Sequence, residues 1–331
     1  TALMWAAAGR HPDIVRLLLD SHADVRARAK SWNQRVMICC EMYTGDKRTT
    51  STLARGGYTP LLFAAEHGDA ATIGLLVAAG ADVNDTAADG ESALVIAAHV
   101  GQSDVGTALL KAGANAKAVR PDGIPALALC AGTSTPAALA GMIAKGASVN
   151  AADPQGITPL MWAAAKGNAD NVAFLAQHGA KVNAVADKGF TALFFALRSK
   201  EARSPVLLLQ AGADAKAVLP ADGTSIADAA VLENNEAFAK MVVTQGVDLT
   251  QHDQQGRPLI HVAAASGDAE LVTLLLSKGV DPNGLSQPPA AVAPARRAAP
   301  AQVAGGGGNG GGGGGGGSKG LSVADGALKA P

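Results

Sequence analysis

The stretch GITPLMWAAAKGNADNVAFLAQHGAKVN, from Gly156 to Asn183, decides the fold. Thr158 can cap a helix, and Pro159 suits the first helical position, where no N–H is required. Leu160, Ala163 and Ala164 follow at helical spacing, and this predicted helix closes near Gly167. A second helix is predicted from about Ala169 to Gln177, with Val172, Leu175 and Ala176 on one face. Gly179 supplies the left-handed residue that helices often need at their C-terminus. Val182-Asn183 and Asp187-Lys188-Gly189 then read as an extended turn. Such a helix pair is too small to bury its own apolar face, so copies of it must stack.

Copies are present. Gly-Ala or Gly-Val doublets begin at Gly80, Gly113, Gly146, Gly179, Gly212, Gly246 and Gly279. The step between them is constant except for one extra position between Gly212 and Gly246. A second marker keeps a fixed distance upstream of each doublet: Thr59, Ser92, Pro125, Thr158, Thr191, Thr224 and Pro258, with Thr224 one position further away than the rest. Two markers in one phase over so long a stretch define a repeat architecture. Thr1-Ala2-Leu3, Ala6-Ala7, Leu17-Leu18 and Ala23-Asp24-Val25 fit the same template as a displaced first unit. Thr1 and Thr59 lie much further apart than one period, and the excess places an insertion at about residues 29–56.

These residues resemble the ankyrin repeat, whose pattern is D-x-x-G-x-T-P-L-H-x-A-A, a second helix with V-x-x-L-L, then G-A-D-x-N. Thr59-Pro60-Leu61, Ala64-Ala65, Leu75-Leu76 and Gly80-Ala81-Asp82-Val83-Asn84 match it, as do Thr158-Pro159-Leu160 with Ala163-Ala164. Leu274-Leu275 with Gly279-Val280-Asp281-Pro282-Asn283 match it too. The helix-start His of the pattern survives as His261; the other units carry Met4, Leu62, Val95, Ala128, Met161, Phe194 and Ala227 there. The resemblance implies an all-α solenoid of about eight helix-turn-helix units with β-turn fingers, over residues 1–283.

Composition agrees with close-packed short helices. The 331 residues are 48% hydrophobic but only 3% aromatic, so small aliphatic side chains dominate the core. A net charge of −1 gives no electrostatic drive toward nucleic acid or an anionic membrane. No window approaches the roughly 18 apolar residues of a membrane span. Cys39, Cys40 and Cys130 form no C-x-x-C and read as free or buried thiols. The insert carries Arg26, Arg28, Lys30, Arg35, Lys47, Arg48 and Arg55 against Glu41 and Asp46, with Trp32 and Tyr43 among them. It reads as a lengthened finger loop, either a partner-docking loop or a solvated one with Trp32 and Met37 tucked onto the stack. Residues 284–320 read as a Pro/Ala-rich and then Gly-rich linker without a fixed fold. Residues 321–331, LSVADGALKAP, resume a helix-like pattern and read as the truncated start of a further domain.

No nucleophile elbow, Walker loop, H-E-x-x-H or dinucleotide fingerprint occurs. His67 and His99 fall near first-helix ends in neighbouring units, but two histidines without further ligands make a weak metal site. No metal and no cofactor are expected. His261 is expected to bond the turn backbone, and Trp5 and Trp162 to pack in the core. Asp82, Asp214, Asp248 and Asp281 read as turn carboxylates that accept backbone N–H bonds. The unit opening at Thr224 reads as the weakest internal link, since Thr224-Ser225 replaces Thr-Pro.

The resemblance implies a non-catalytic module that binds a protein partner on a concave face of finger turns and first helices. Carried over slot by slot, that face holds Arg55, Tyr58 and His67, then Glu91 and His99. It continues with Ile157 and Lys166, Phe190 and Arg198, and ends at Arg257. Aromatic and Arg side chains are the types enriched at binding hot spots. The expectation is a monomeric solenoid that binds protein, without nucleic-acid binding or membrane insertion. The alternative is a scaffold or regulatory arm of a larger enzyme or redox protein whose active domain follows the linker.

Overall fold

The structure is a computed structural model. It describes residues 1–38, 49–199, 201–219, 223–233, 235–244 and 256–286, with positions 246, 249 and 252 besides. Cys39, Cys40, Tyr43, Asp248 and residues 287–331 lie outside the described residues.

Eight helix pairs follow one another among the described residues. The first is α1 (Ala2–Ala8) with α2 (Pro12–Asp20), and the second α3 (Pro60–His67) with α4 (Ala70–Ala78). Then come α5 (Ala93–Val100) with α6 (Ser103–Lys111), and α7 (Ala126–Thr133) with α8 (Pro136–Ala144). The pairs α9 (Pro159–Ala165) with α10 (Ala169–Gln177) and α11 (Ala192–Arg198) with α12 (Arg203–Gln210) continue the series. It closes with α13 (Ile226–Leu232) with α14 (Glu236–Thr244), and α15 (Leu259–Ser266) with α16 (Ala269–Ser277). First helices touch first helices from α1 to α15, and second helices touch second helices from α2 to α12 and again from α14 to α16. The chain is thus an all-α solenoid in two rows.

The first row has almost no solvent face. Ala93 to Ala98 in α5 and Ala126 to Ala131 in α7 are all buried. Each such helix is enclosed by a first helix on either side and by its own second helix, and only small side chains allow helices that close. The scarcity of aromatics follows. Caps start these short helices where propensity alone could not. The Thr59, Ser92 and Thr158 hydroxyls accept from the N–H of Leu62 (3.5 Å), Val95 (3.4 Å) and Met161 (3.3 Å).

The unit at Thr224 corrects the register. Its cap is Ser225, whose hydroxyl accepts from the Asp228 N–H (3.1 Å) and donates to Asp228 Oδ2 (2.6 Å). The helix-start slot therefore holds Asp228, not Ala227, and the separation of cap and Gly246 becomes the same as in the other units. The extra residue sits in the preceding finger. Elsewhere the finger closes as in Ala87 N–H to Glu91 O (2.9 Å), whereas here Leu219 N–H reaches one position further along, to Thr224 O (2.9 Å).

Fingers are joined along the stack by the Asn of the Gly-Ala-Asp-x-Asn segment. Asn84, Asn150 and Asn183 accept, through Oδ1, the N–H of Asn115, Lys181 and Asp214, each at 2.8 Å. The amides of Asn150 and Asn183 also donate to the carbonyls of Gly179 (3.0 Å) and Gly212 (2.9 Å). In the first unit Arg26 takes this slot and donates through Nε to Gly80 O (3.3 Å). Asp82, Asp214 and Asp281 accept the N–H two residues on (2.9, 2.8 and 2.8 Å), as turn carboxylates do.

The insert, read as a loop, contains two strands. β1 (Ser31–Ile38) pairs antiparallel with β2 (Thr49–Gly56), with Ser31 opposite Gly56 and Ile38 opposite Thr49. β-branched and aromatic residues such as Trp32, Val36 and Thr49 suit a pleated ribbon. Trp32 does not tuck away: it is 58% exposed.

Candidate functional site

Five candidate residues occupy one structural slot, the position just before the helix cap: Tyr58, Glu91, Ile157, Phe190 and Arg257. The backbone there is fixed because the carbonyl closes the finger, as Ile157 O accepts from Asp153 N–H (3.1 Å) and Phe190 O from Ala186 N–H (2.8 Å). All five side chains are half-buried. The aromatic ones lean onto the first helix of their own unit. Tyr58 meets Phe63 with ring centroids 5.3 Å apart. Phe190 meets Phe194 edge-on at 6.1 Å and Phe195 at 5.7 Å. Finger and first helix therefore share one surface.

A second row lies at the C-terminal ends of first helices. His67, His99 and Arg198 sit in the last turns of α3, α5 and α11, Lys166 caps α9, and all four are exposed. Basic groups there face the negative end of each helix dipole. His67 Nε2 lies 3.5 Å from Glu66 Oε2, and Arg198 Nε lies 3.8 Å from Glu233 Oε1. Gly132 makes room for the Lys166 stem: a Cβ built there would lie 2.9 Å from Lys166 Cγ.

His99 feels the charges of neighbouring units. Burial, then the Arg120 charge, lowers its pKa; Asp122 opposes this and Lys166 adds to it. Arg120 is itself held by Asp122, its Nε lying 2.9 Å from Oδ1 and 3.0 Å from Oδ2. The hydrogen bond to Asp122 raises the Arg120 pKa. Burial pushes the Asp122 carboxyl up, but bonds from Arg120 and the Ile124 N–H more than offset it and hold it below its ordinary value. Arg120 escaped the sequence reading because what marks it is its pairing with Asp122 and the charge it exerts on His99.

Other candidates resolve as follows. Arg55 lies in β2 opposite Trp32, and its side chain is outside the described residues. Among the described residues His261 bonds no turn backbone; its Nδ1 lies 3.0 Å from the Ser286 hydroxyl. Trp5, expected in the core, is 80% exposed in this structure. Trp162, in the same slot between α7 and α11, is half-buried. Cys130 is a buried free thiol, its pKa pushed by burial to about 11, so it is protonated and unreactive at neutral pH. Among the described residues no group of three or more His, Cys, Asp or Glu side chains is placed to hold a metal ion. No described helix is long and apolar enough to cross a membrane.

Comparison with known proteins places this arrangement. A family model described as ankyrin repeats (3 copies) matches residues 31–120, 127–218 and 204–286, and one described as ankyrin repeat matches residues 1–30. None of the curated proteins matches the chain. The crystal structure of the human ASB11 ankyrin repeat domain is similar, with a TM-score of 0.58 at 21% identity. That alignment covers 68% of this chain and 100% of the human domain, and at that identity it speaks for the fold alone. Ankyrin repeats are in general protein–protein interaction modules and typically non-enzymatic. With family models matching nearly the whole described stack, unit after unit, the chain belongs to the ankyrin repeat family.

Proposed function

We propose that this protein is a non-catalytic interaction module whose partner protein docks along the joint surface of finger turns and first-helix ends. The observation that carries this reading is the alignment of two rows on neighbouring units. Tyr58, Glu91, Ile157 and Phe190 are set by closed fingers, Arg257 occupies the same slot, and His67, His99, Lys166 and Arg198 are set by helix ends. Rigid backbone beneath varied side chains lowers the ordering cost of binding. Aromatic anchors flanked by charge give a surface that can select a partner by both shape and sign. We place Arg55 on the same edge, where the hairpin returns to the stack.

The test is affinity capture with the full chain against its variants. Charge reversal at Lys166 and Arg198, with Phe190→Ala, should release the specifically captured protein while the helical circular dichroism is retained. Retention of every captured protein by that triple variant would refute this surface.

A further inference from the structure

The hairpin between the first two units carries a second kind of binding feature. Among the described residues β1 and β2 pair only with each other. One side of the ribbon is tied to the stack: Ala88 N–H, in the next finger, donates to the carbonyl of Gly56 at the end of β2 (3.0 Å). The other side, along β1, meets no backbone partner among the described residues. A two-stranded ribbon is marginal in water, and a third strand is what stabilises it. An open edge is also a template for pairing with an extended chain.

Charge says which chain. Residues 26–38 carry Arg26, Arg28, Lys30 and Arg35 and no carboxylate, and β2 adds Arg55. Among the described residues, Arg28 is held by an acid, Asp85 of the next finger. Lys30 is exposed. A second copy of this chain would bring cations onto cations. The chain's own residues 287–331 carry Arg296, Arg297, Lys319 and Lys329 against Asp325, so they are repelled as well. The apolar side of the site is equally placed. Trp32 lies over Gly56 and is 58% exposed.

We propose that the free edge of β1 takes an extended acidic segment of a partner protein by strand addition, with an apolar side chain of that segment packed on Trp32. Main-chain bonds along β1 supply the affinity, and the cations and Trp32 supply the selection.

The experiment uses the full chain and three synthetic peptides of about twelve residues. One alternates Glu and Val; one replaces Glu by Lys; one is the Glu–Val peptide with two adjacent central N-methyl groups that obstruct both edges. Binding is followed by calorimetry at low salt, and the amides of residues 31–38 by hydrogen exchange. The Glu–Val peptide should saturate below about 1 mM and slow exchange in β1, and the other two should bind at least ~10-fold more weakly. Lys30→Glu should weaken the Glu–Val peptide at least ~3-fold. Absence of saturation by about 1 mM, equal binding of the N-methylated peptide, or protection confined to fingers beyond the second unit would overturn the proposal. None of those outcomes touches the docking row at Lys166, Phe190 and Arg198.

Discussion

Asn171 reaches out of its own unit to hold the one before it: its Nδ2 donates to the carbonyl of Ser134 at 2.8 Å, and to that of Ala131 at 2.9 Å. Asn171 is fully buried, at the helix slot that elsewhere holds Thr72, Val105 or Leu271. A buried amide that satisfies two carbonyls at the end of α7 is worth more than its own packing. Asn171→Ala leaves both without that donor and should cost about 1–3 kcal/mol. Chemical denaturation should show it, and an unchanged midpoint would mean that water replaces the amide.

A second expectation concerns the cap at Ser225. Ser225→Ala should destabilise by about 0.5–2 kcal/mol. Thr224→Ala should cost clearly less, since Thr224 lies outside the cap. Equal losses would restore the register read from Thr224.

Two glycines separate backbone strain from crowding. Gly113 and Gly123 have φ of 99° and 90°, in the left-handed region. A Cβ at Gly113 meets nothing within 4 Å, whereas at Gly123 it would lie 2.6 Å from Pro154 Cγ. Gly113→Ala should therefore cost only the conformational strain, about 1–2 kcal/mol. Gly123→Ala should cost more, because the finger of the next unit must move. Matched thermal melts of the two variants decide it.

His99 makes stability depend on pH in a stated direction. Its pKa is lowered from 6.5, chiefly by burial and then by Arg120. The unfolded chain thus takes the proton more readily than the folded one, so His99's contribution is intact above pH 6.5 and is lost as pH falls below it. The melting temperature should drop between about pH 7 and 5.5, and less so in His99→Gln. Parallel curves for the two proteins would remove His99 as the cause.

Sequence and structure agree where the determining physics is local. The helix-start Thr and Pro and the doublet glycines act within one turn of chain, so their phase could be read directly, and α10 spans Ala169–Gln177 as its periodicity predicts. Three features stayed hidden because their causes are not local. The pairing of β1 with β2 depends on residues far apart in the chain. The half-burial of Trp162 depends on α7 and α11 packing on either side of its helix, not on its slot alone. The choice of Ser225 over Thr224 rests on Asp228 reaching back. Of the candidate surface, the slots were legible, but the charge that Arg120 and Lys166 exert on His99 was not.

The joints between units differ in chemical kind, and salt can tell them apart. Three joints, between the second and third, fourth and fifth, and fifth and sixth units, are linked by the neutral amides of Asn84, Asn150 and Asn183. At the first joint Arg26 and Arg28 take over, the latter on Asp85. At the last, Lys240 Nζ spans Asp268 (3.3 Å) and Glu270 (2.8 Å). Mobile ions screen charge over about 8–10 Å and leave amide bonds largely untouched. Raising ionic strength should speed hydrogen exchange in α2 and α16 while α10 keeps its protection. Salt then loosens the charged joints and spares the amide ones, so the ionic strength of the medium sets which neighbouring units hold together.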